Sequence, residues 1–214
     1  MTRAFLRARR PEHKQQRREA ILAAARELAV ASGVRNVSLG AVAEAVGLAK
    51  SNIMRYFGTR EEIFLILAAE EWRQWSAAVI ARLEGSGDAV AALAETLEDR
   101  PLFCDLLSHT ATSLEHNVSV PAARTFKRAI LDVIADLGPR VAQVAGLADR
   151  EGVELVGAAS ALAGLLYPVS NPSPALAQVY AEDPDIAATC PDFVPTLTRT
   201  LKALAAGLPA IRES

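Results

Sequence analysis

The stretch over residues 38–62 constrains the fold of this chain more than any other part of the sequence. Apolar residues recur at helical spacing over 39–46, which predicts a short amphipathic helix. Gly47 follows the last of them, where a helix end often needs a left-handed residue. A second helix is predicted to begin near Ala49. Two short helices joined by a glycine turn are typical of a helix-turn-helix.

The second predicted helix has two different faces. Ile53 and Phe57 are four residues apart, so they share the face that turns inward. The other face carries donors and cations, namely Lys50, Ser51, Asn52, Arg55 and Tyr56. In a helix-turn-helix the first residues of this helix meet base edges in the DNA major groove. Lysine suits guanine and asparagine suits adenine, so Lys50, Ser51 and Asn52 are the predicted base-reading residues.

A second group of side chains is predicted to contact DNA phosphates, which position a protein without reading sequence. It consists of Ser38, Tyr56, Thr59 and Arg60, whereas Arg55 suits either role. Ser38 is also placed to cap the first short helix. Thr59 and Glu62 have the spacing of a capping box, which predicts that a long helix begins at Arg60 and runs to about residue 83.

Two runs of this region resemble the tetracycline-repressor (TetR) family of bacterial transcription regulators. They are REAILAAARELAVASGVRNVSLGAVAEAVG at 18–47 and GLAKSNIMRYFGTREEI at 47–63. Two departures are Met54, where many members have a phosphate-contacting tyrosine, and Gly58, where proline is common. The resemblance implies that residues matching Lys50, Tyr56 and Arg60 contact DNA.

The resemblance also implies what the remainder of the chain does. In this family the helices after the DNA-binding unit enclose a small-molecule pocket, and an unidentified effector is therefore expected. The predicted pocket residues are Trp72, Trp75, Phe103, His109, Phe126 and Tyr167. Ligand binding would tilt the helix that begins at Arg60 and change the separation of two recognition helices from the half-site spacing of about 34 Å. Repression is the expected outcome.

A homodimer is expected because one helix-turn-helix buries little surface and usually acts as a two-fold pair on pseudopalindromic DNA. The helix predicted over 150–167 has a stripe of small residues that would let another helix approach closely, although packing on the final helix of the same chain is the alternative. The resemblance implies an interface made by the last two helices of each subunit. The candidate residues are Leu155, Gly157, Ala158, Ala161, Leu162, Gly164, Leu165, Leu197, Leu201 and Leu204.

Charge is distributed unevenly along the chain. Residues 1–60 contain 12 Lys or Arg and 4 Asp or Glu, a net charge of +8, whereas residues 61–214 contain 11 and 21, a net charge of −10. A basic first quarter on an acidic remainder is typical of a protein that binds a polyanion. Residues 1–11 are expected to be a disordered basic arm that follows the DNA backbone or minor groove.

Composition and patterning predict an all-α fold with two parts. These are a three-helix helix-turn-helix domain over 1–59 and a larger helical ligand-binding and dimerisation domain over 60–214. No apolar run approaches the ~20 residues of a membrane span, so no membrane partner is expected. The basic N-terminus lacks the apolar core of a secretory signal, and two thiols suit a reducing compartment, so a bacterial cytoplasmic protein is expected.

Other functions are weaker alternatives. Cys104, His109 and His116 lack the spacing of a structural zinc site, and no catalytic residues, metal ion or cofactor are expected. No nucleophile is placed beside a base, so an enzyme is not expected. The two rival functions are a ligand-independent architectural DNA-binding protein and a small-molecule-binding protein whose N-terminal bundle is incidental.

Overall fold

The computed structural model describes residues 3–212, and it describes side chains from residue 12 onward except that of Ser86. Over these residues the chain forms α-helices and no strands, so the predicted all-α fold is confirmed. A 3₁₀ turn covers Val34–Asn36, a π-helical turn covers Thr110–Leu114, and a 3₁₀ turn covers Leu208–Ile211. The α-helices are α1 (Arg3–Ser32), α2 (Leu39–Ala45), α3 (Lys50–Ile53), α4 (Arg60–Ser86), α5 (Ala89–Glu98), α6 (Pro101–His109), α7 (Val120–Ala145), α8 (Asp149–Ser170), α9 (Pro174–Glu182), α10 (Pro184–Ala187) and α11 (Phe193–Gly207).

The first three helices and the first turns of α4 form an N-terminal bundle around one apolar core. Ile21 and Ala25 of α1, Val42 of α2 and Ile53 of α3 are all buried in it. Gly47 has a φ of 63°, so the turn between α2 and α3 uses the left-handed conformation that its sequence predicted. α3 is a single helical turn, and the turn that follows it still brings Phe57 into the core.

The start of α1 differs from the sequence-based expectation. A disordered arm up to Pro11 and a helix from Glu12 were predicted, whereas α1 begins at Arg3 and continues to Ser32. Alanine, leucine and arginine dominate residues 3–10, and these are among the strongest helix formers. The predicted DNA contacts of this arm fall on side chains that lie outside the described ones.

The remaining helices, α4–α11, form a larger helical body. Its core is built from buried faces of α4, α5, α6, α7, α8 and α11. Gly138 and Pro139 predict a kink or a break in this region, and the break is absent because α7 is one continuous helix from Val120 to Ala145. Gly138 instead lies against α8, where an added Cβ would come within 3.0 Å of the Val153 backbone. Gly138 therefore does not end the helix, and its missing side chain lets α7 and α8 approach each other closely.

The proline-rich stretch over 170–191 is more helical than predicted. One short helix over 175–181 was expected within an irregular segment, but α9 and α10 both lie there. Pro174 and Pro184 each occupy the first turn of a helix. Proline is tolerated at that position because its missing N–H would have no helical partner there. Both prolines therefore mark helix starts.

α8 is long and apolar enough to cross a membrane by length and composition alone. In the structure it packs against α6, α7 and α11. Its residues Leu155, Val156, Ala159 and Ala163 are fully buried among those helices. This is the behaviour of a core helix.

The contact between α7 and α8 gives a test of the fold. A Cβ on Gly152 would lie 2.2 Å from the Gly138 carbonyl oxygen and 2.9 Å from the Ala142 nitrogen, both backbone atoms. Gly152→Ala should therefore lower the free energy of unfolding by about 2–3 kcal/mol, measured by chemical denaturation. Gly85→Ala on α4 is the matched control, because its Cβ meets nothing within 4 Å. A Gly152→Ala variant as stable as the Gly85→Ala variant would contradict this packing.

Candidate DNA interface and ligand cavities

The outward face of α3 and of the turn after it presents polar side chains that have no partner among the described residues. Lys50, Ser51, Asn52 and Arg55 are exposed, while Ile53 between them is completely buried. Within the described part of the chain, none of these four polar side chains forms a hydrogen bond or ion pair. Burial of Ile53 thus fixes the orientation of α3, and its donors remain available to another molecule.

α1 adds two cations to this surface. A cleft of about 440 Å³ separates α1 from α3 and the turn that follows it. A phosphate group would find donors from both helices there, and charge-assisted bonds to phosphate are strong. Lys14 and Arg17 were not predicted as DNA contacts, because the first helix was expected only to pack against the helix-turn-helix. The basic run KQQRR at 14–18 is the sequence signal that indicates them. The cleft is lined by Lys14, Arg17, Leu48, Asn52, Arg55 and Tyr56.

Arg60 does not face outward as its predicted phosphate contact requires. Its Nε donates a hydrogen bond to the Val37 carbonyl oxygen at 2.5 Å, and its Nη2 donates to the carbonyl oxygen of Val34. The guanidinium also lies over the Phe64 ring, 4.6 Å from the centroid. Its donors are used to hold the segment between α1 and α2 against the start of α4.

Thr59 and Ser38 are also engaged within the chain. Thr59 Oγ1 accepts a hydrogen bond from the Glu62 N–H at 3.2 Å and donates one to the Asn117 carbonyl oxygen at 2.9 Å. Ser38 Oγ accepts a hydrogen bond from the Ala41 N–H at 3.0 Å and so caps α2. The structure therefore gives both hydroxyls a helix-capping role, and Ser38 remains exposed.

Glu62 joins three segments that are far apart in sequence. Its carboxylate accepts hydrogen bonds from the Gly58 N–H at 2.9 Å, the Ser119 N–H at 3.1 Å and the Ser119 hydroxyl at 2.7 Å. Burial favours the neutral acid, but these bonds favour the carboxylate and hold the pKa of Glu62 below its ordinary value. The end of the recognition segment (residues 50–57), the start of α4 and the start of α7 are thereby connected.

A second link connects α1 to the body. Arg26 forms ion pairs with Glu70 at 2.7 Å and with Glu71, which is 5% exposed. Arg100, just before α6, lies 3.7 Å from the same Glu71 carboxylate. Buried carboxylates require such partners because an unpaired buried charge is strongly unfavourable.

The six predicted ligand residues lie in different environments. Trp72, Trp75 and Phe103 are buried against one another with ring centroids 5.4–5.6 Å apart, which is the geometry of a packed aromatic core. His109 lies 3.5 Å from Asp105 on the same helix. Phe126 lines a cavity of about 380 Å³ between the N-terminal bundle, α4 and α7, and Tyr167 lines one of about 260 Å³ near α1 and α6.

A broader groove adjoins the cavity at Phe126. It lies between α4 and α7, has a volume of about 760 Å³ and opens to solvent. Arg73, Thr125 and Ala129 line both spaces, so the two spaces adjoin one another. Of the predicted ligand residues, Phe126 and Tyr167 line cavities, whereas Trp72, Trp75 and Phe103 fill the core, because a sequence does not show whether neighbouring helices occupy the space beside an aromatic side chain.

Cys104 is enclosed in the body. Burial and the neighbouring Asp105 carboxylate raise the pKa of its thiol to about 12, and Sγ lies 3.3 Å from the Leu97 carbonyl oxygen. A thiol in this state is unreactive because the thiolate is the nucleophile. Across residues 3–212 no three His, Cys, Asp or Glu side chains are grouped as metal ligands.

The predicted dimer residues divide into buried and exposed sets. Leu155, Leu197 and Leu201 are fully buried inside the chain. A Cβ on Gly164 would lie 3.0 Å from the Leu107 backbone, so this glycine serves the contact between α8 and α6. These four residues therefore belong to intrachain packing, the alternative that the sequence left open. The residues that remain at least partly exposed are Gly157, Ala158, Ala161, Leu162, Leu165 and Leu204.

Three solved structures share this fold. FadR of Thermus thermophilus, a TetR-family transcriptional repressor in complex with lauroyl-CoA, has 19% identity and a TM-score of 0.57, over 92% of this chain and 97% of that chain. The fatty acid degradation regulator FadR of Bacillus halodurans has 15% identity and a TM-score of 0.52, over 91% and 99%. FadR of Bacillus subtilis, in complex with stearoyl-CoA, has 16% identity and a TM-score of 0.51, over 88% and 98%.

At these identities the likeness concerns the fold alone. The comparison with curated proteins gave no match.

Two family descriptions match the sequence itself. They are the bacterial regulatory proteins of the tetR family, over residues 21–67, and the tetracyclin repressor-like C-terminal domain, over residues 69–212. Because these matches together span most of the chain, the chain belongs to the TetR family of transcriptional regulators, which bind DNA.

Proposed function

We propose that this protein is a ligand-responsive repressor that binds a pseudopalindromic DNA site as a homodimer. The observation that carries the proposal is the outward face of α3 and the turn after it, where four polar side chains lack partners within the described part of the chain and lie beside a cationic cleft. This face presents the donors that bases and phosphates accept.

The residues are assigned distinct roles in DNA binding. Lys50, Ser51 and Asn52 at the start of α3 read base edges. Lys14 and Arg17 hold the phosphate backbone at the adjacent cleft together with Tyr56, and Arg55 contacts either a base or a phosphate. Ser38 is retained as a phosphate contact, because a capping hydroxyl on the surface can still donate its own hydrogen.

The chain is proposed to act as two parts, a DNA-binding domain over 1–59 and a regulatory and dimerisation domain over 60–214. Arg60 and Thr59 are reassigned to positioning, since their donors bind carbonyl oxygens of the same chain. Movement of α4 or α7 would be transmitted through the Glu62 carboxylate to Gly58, and so to the recognition segment.

Dimerisation is assigned to the exposed part of α8 together with α11. Ala161 and Leu165 lie one turn apart on α8, and Leu165 is 65% exposed. Leu204 of α11 is also exposed. Exposed apolar side chains on both helices support a protein interface. Two copies would also place two recognition segments on one DNA site.

Control by a small molecule is supported by the cavities beside α4 and by the bound molecules of two similar structures. The T. thermophilus and B. subtilis FadR proteins were solved with lauroyl-CoA and stearoyl-CoA. A ligand lowers DNA affinity only if it binds the non-binding conformation more tightly. Such a ligand would have to change the position of α4 or α7 relative to the recognition segment.

DNA selection followed by salt titration tests the DNA interface. The protein should select a pseudopalindromic site, and its affinity should fall steeply with salt because phosphate binding releases counterions. Lys14→Gln/Arg17→Gln should lower the slope of log affinity against log salt by about 2 per subunit. Arg140→Gln/Arg150→Gln removes two exposed body cations and should leave the slope unchanged. Binding that is weak and independent of sequence would overturn the proposed function.

The dimer surface can be tested with one charge. Leu165→Glu should leave the folded chain intact because the side chain is exposed, but an interface would bury an unpaired carboxylate. The dimer should therefore weaken by about 3 kcal/mol or more, roughly a hundredfold, as measured by light scattering over a dilution series. Leu131→Glu on α7, where the leucine is 62% exposed, is the control. An undiminished Leu165→Glu dimer would place the interface elsewhere.

The Glu62 junction should be visible in the pH dependence of stability. Glu62→Gln should lower the free energy of unfolding at pH 7 by about 1–2 kcal/mol, because it weakens three hydrogen bonds to a carboxylate. Since the folded-state pKa is depressed, this stabilisation is present above the unfolded pKa of about 4.3 and is lost as pH falls through the folded pKa. Denaturation from pH 7 down to pH 3 measures the difference between the two proteins.

The control for that measurement is Glu84→Gln, an exposed carboxylate on the same helix without a described partner. The free energy of unfolding of the Glu84→Gln variant should differ from that of the unsubstituted protein by nearly zero at each pH. If the loss of unfolding free energy in Glu62→Gln does not become smaller as the pH falls, the charge of the Glu62 carboxylate does not hold the junction.

A further inference from the structure

The helical body contains an unusual group of arginines. Residues 61–214 hold 11 Lys or Arg and 21 Asp or Glu, so most cations there have carboxylates close by. Among the described side chains, Arg73, Arg124 and Arg128 form neither an ion pair nor a hydrogen bond, yet all three line the groove between α4 and α7. The cations of this region that do form ion pairs are Arg82, Arg100, Lys127, Arg140, Arg150 and Arg212. Arg199 and Lys202 of α11 are the two other described cations without such a partner, and they lie outside the groove.

The three arginines converge from two helices. Arg124 and Arg128 are one turn apart on α7, and Arg73 faces them from α4 across a space of about 760 Å³. Two carboxylates, Asp132 and Asp136, lie farther along the same face of α7, and Asp136 is paired with Arg140 at 3.2 Å. The end of the groove nearer the N-terminal bundle is therefore cationic. We name this end, lined by Arg73, Arg124 and Arg128, the arginine groove.

The adjoining cavity of about 380 Å³ is predominantly apolar. Its carboxylates are already engaged, because Glu62 binds Gly58 and Ser119 and Glu70 binds Arg26. We name this space the apolar cavity. Its apolar lining consists of Phe57, Leu65, Ile66, Ala69, Ala122, Phe126 and Ala129.

We propose that the effector of this regulator is an anionic amphiphile, with its apolar chain in the apolar cavity and its anionic group in the arginine groove. The two spaces adjoin at Arg73, Thr125 and Ala129, so one molecule that extends past these side chains would occupy both. Guanidinium groups form strong, often bidentate bonds to carboxylate and phosphate, and the apolar chain gains from leaving water. This proposal rests on the proposed function, because it assigns the effector of that regulator.

The site also explains how such a ligand would reach the DNA-binding surface. Tyr56 and Phe57, at the end of the recognition segment, form part of the wall of the apolar cavity. Arg18 of α1 lies over the Phe57 ring, 4.7 Å from its centroid, and lines the same space. A bound chain therefore contacts the recognition segment directly, and filling the cavity changes the position of that segment relative to α7.

Calorimetric titration of the full-length protein tests the ligand class. The probes are laurate, lauroyl-CoA, coenzyme A and dodecanol, each below its aggregation concentration. Laurate or lauroyl-CoA should bind and release a selected DNA site, whereas coenzyme A and dodecanol should bind at least about tenfold more weakly, because each lacks one of the two required parts. Comparison of laurate with lauroyl-CoA shows whether the anionic group that binds the arginines is a free carboxylate or the phosphates of a thioester.

Two variants locate the site. Arg124→Gln/Arg128→Gln should weaken binding of the anionic probe by about tenfold or more, since two charge-assisted bonds to the anionic group are lost. Lys127→Gln, on the same helix but paired with Glu115 outside the groove, should change it less than about twofold. Ala129→Phe places a ring where the two spaces meet and should abolish binding while the arginines remain.

The outcomes separate this proposal from the proposed function. Anionic amphiphiles that bind equally well to the unchanged protein, Arg124→Gln/Arg128→Gln and Ala129→Phe would overturn the assigned site. Selected DNA binding with no response to any probe would overturn the ligand class and leave the regulator intact. Amphiphile binding without selective DNA binding would overturn the regulatory proposal and retain only the site.

Discussion

The first turn of α4 is the contact on which the other parts of the structure depend. Arg60 holds the carbonyl oxygens of Val34 and Val37, and Glu62 holds the backbone at Gly58 and Ser119. Two neighbouring side chains of opposite charge thus fix both ends of the helix-turn-helix to the body. Because each bond involves a charged group, losing one partner leaves an ionic group unsatisfied, which costs more than losing a neutral hydrogen bond.

This arrangement makes the N-terminal bundle an extension of the body. The Val34 N–H donates to the Asp105 carboxylate of α6 at 2.7 Å, and Arg26 of α1 binds both Glu70 and Glu71 of α4. Contacts from α4, α6 and the start of α7 therefore reach the bundle at separate points. A displacement of α4 relative to α7 cannot satisfy all of these contacts in their present geometry, so the orientation of the recognition segment and the state of the body are coupled.

Local rules were enough to predict the helix-turn-helix, because its glycine turn and its serine and threonine caps are formed by residues close in sequence. The second bond of the predicted capping box is not formed, since the Glu62 carboxylate accepts from the Gly58 N–H and not from the Thr59 N–H. Side-chain partners distant in sequence were not predictable. An arginine at a helix start looks the same whether it meets a phosphate or, like Arg60, two carbonyl oxygens 23 and 26 residues away. The small residues of α8 likewise predicted that another helix could approach closely, but not which helix. In the structure, Gly164 lies against α6. Trp72 and Trp75 of α4 were predicted to line a ligand pocket, but the structure shows that their rings pack against each other.

The fold pairs some of the cations of this unevenly charged sequence with carboxylates and leaves others unpaired. Most cations in the acidic body are neutralised by carboxylates within 4 Å, and pairs on the surface contribute little to stability. Among the described side chains, the cations without such partners include those beside α3, those of the arginine groove, and Arg199 and Lys202 of α11. Tyr56 lines both the cleft beside α3 and the apolar cavity. One side chain therefore borders both the proposed phosphate contact and the space proposed for the apolar chain of the effector, which gives a direct physical route by which occupation of one can oppose occupation of the other.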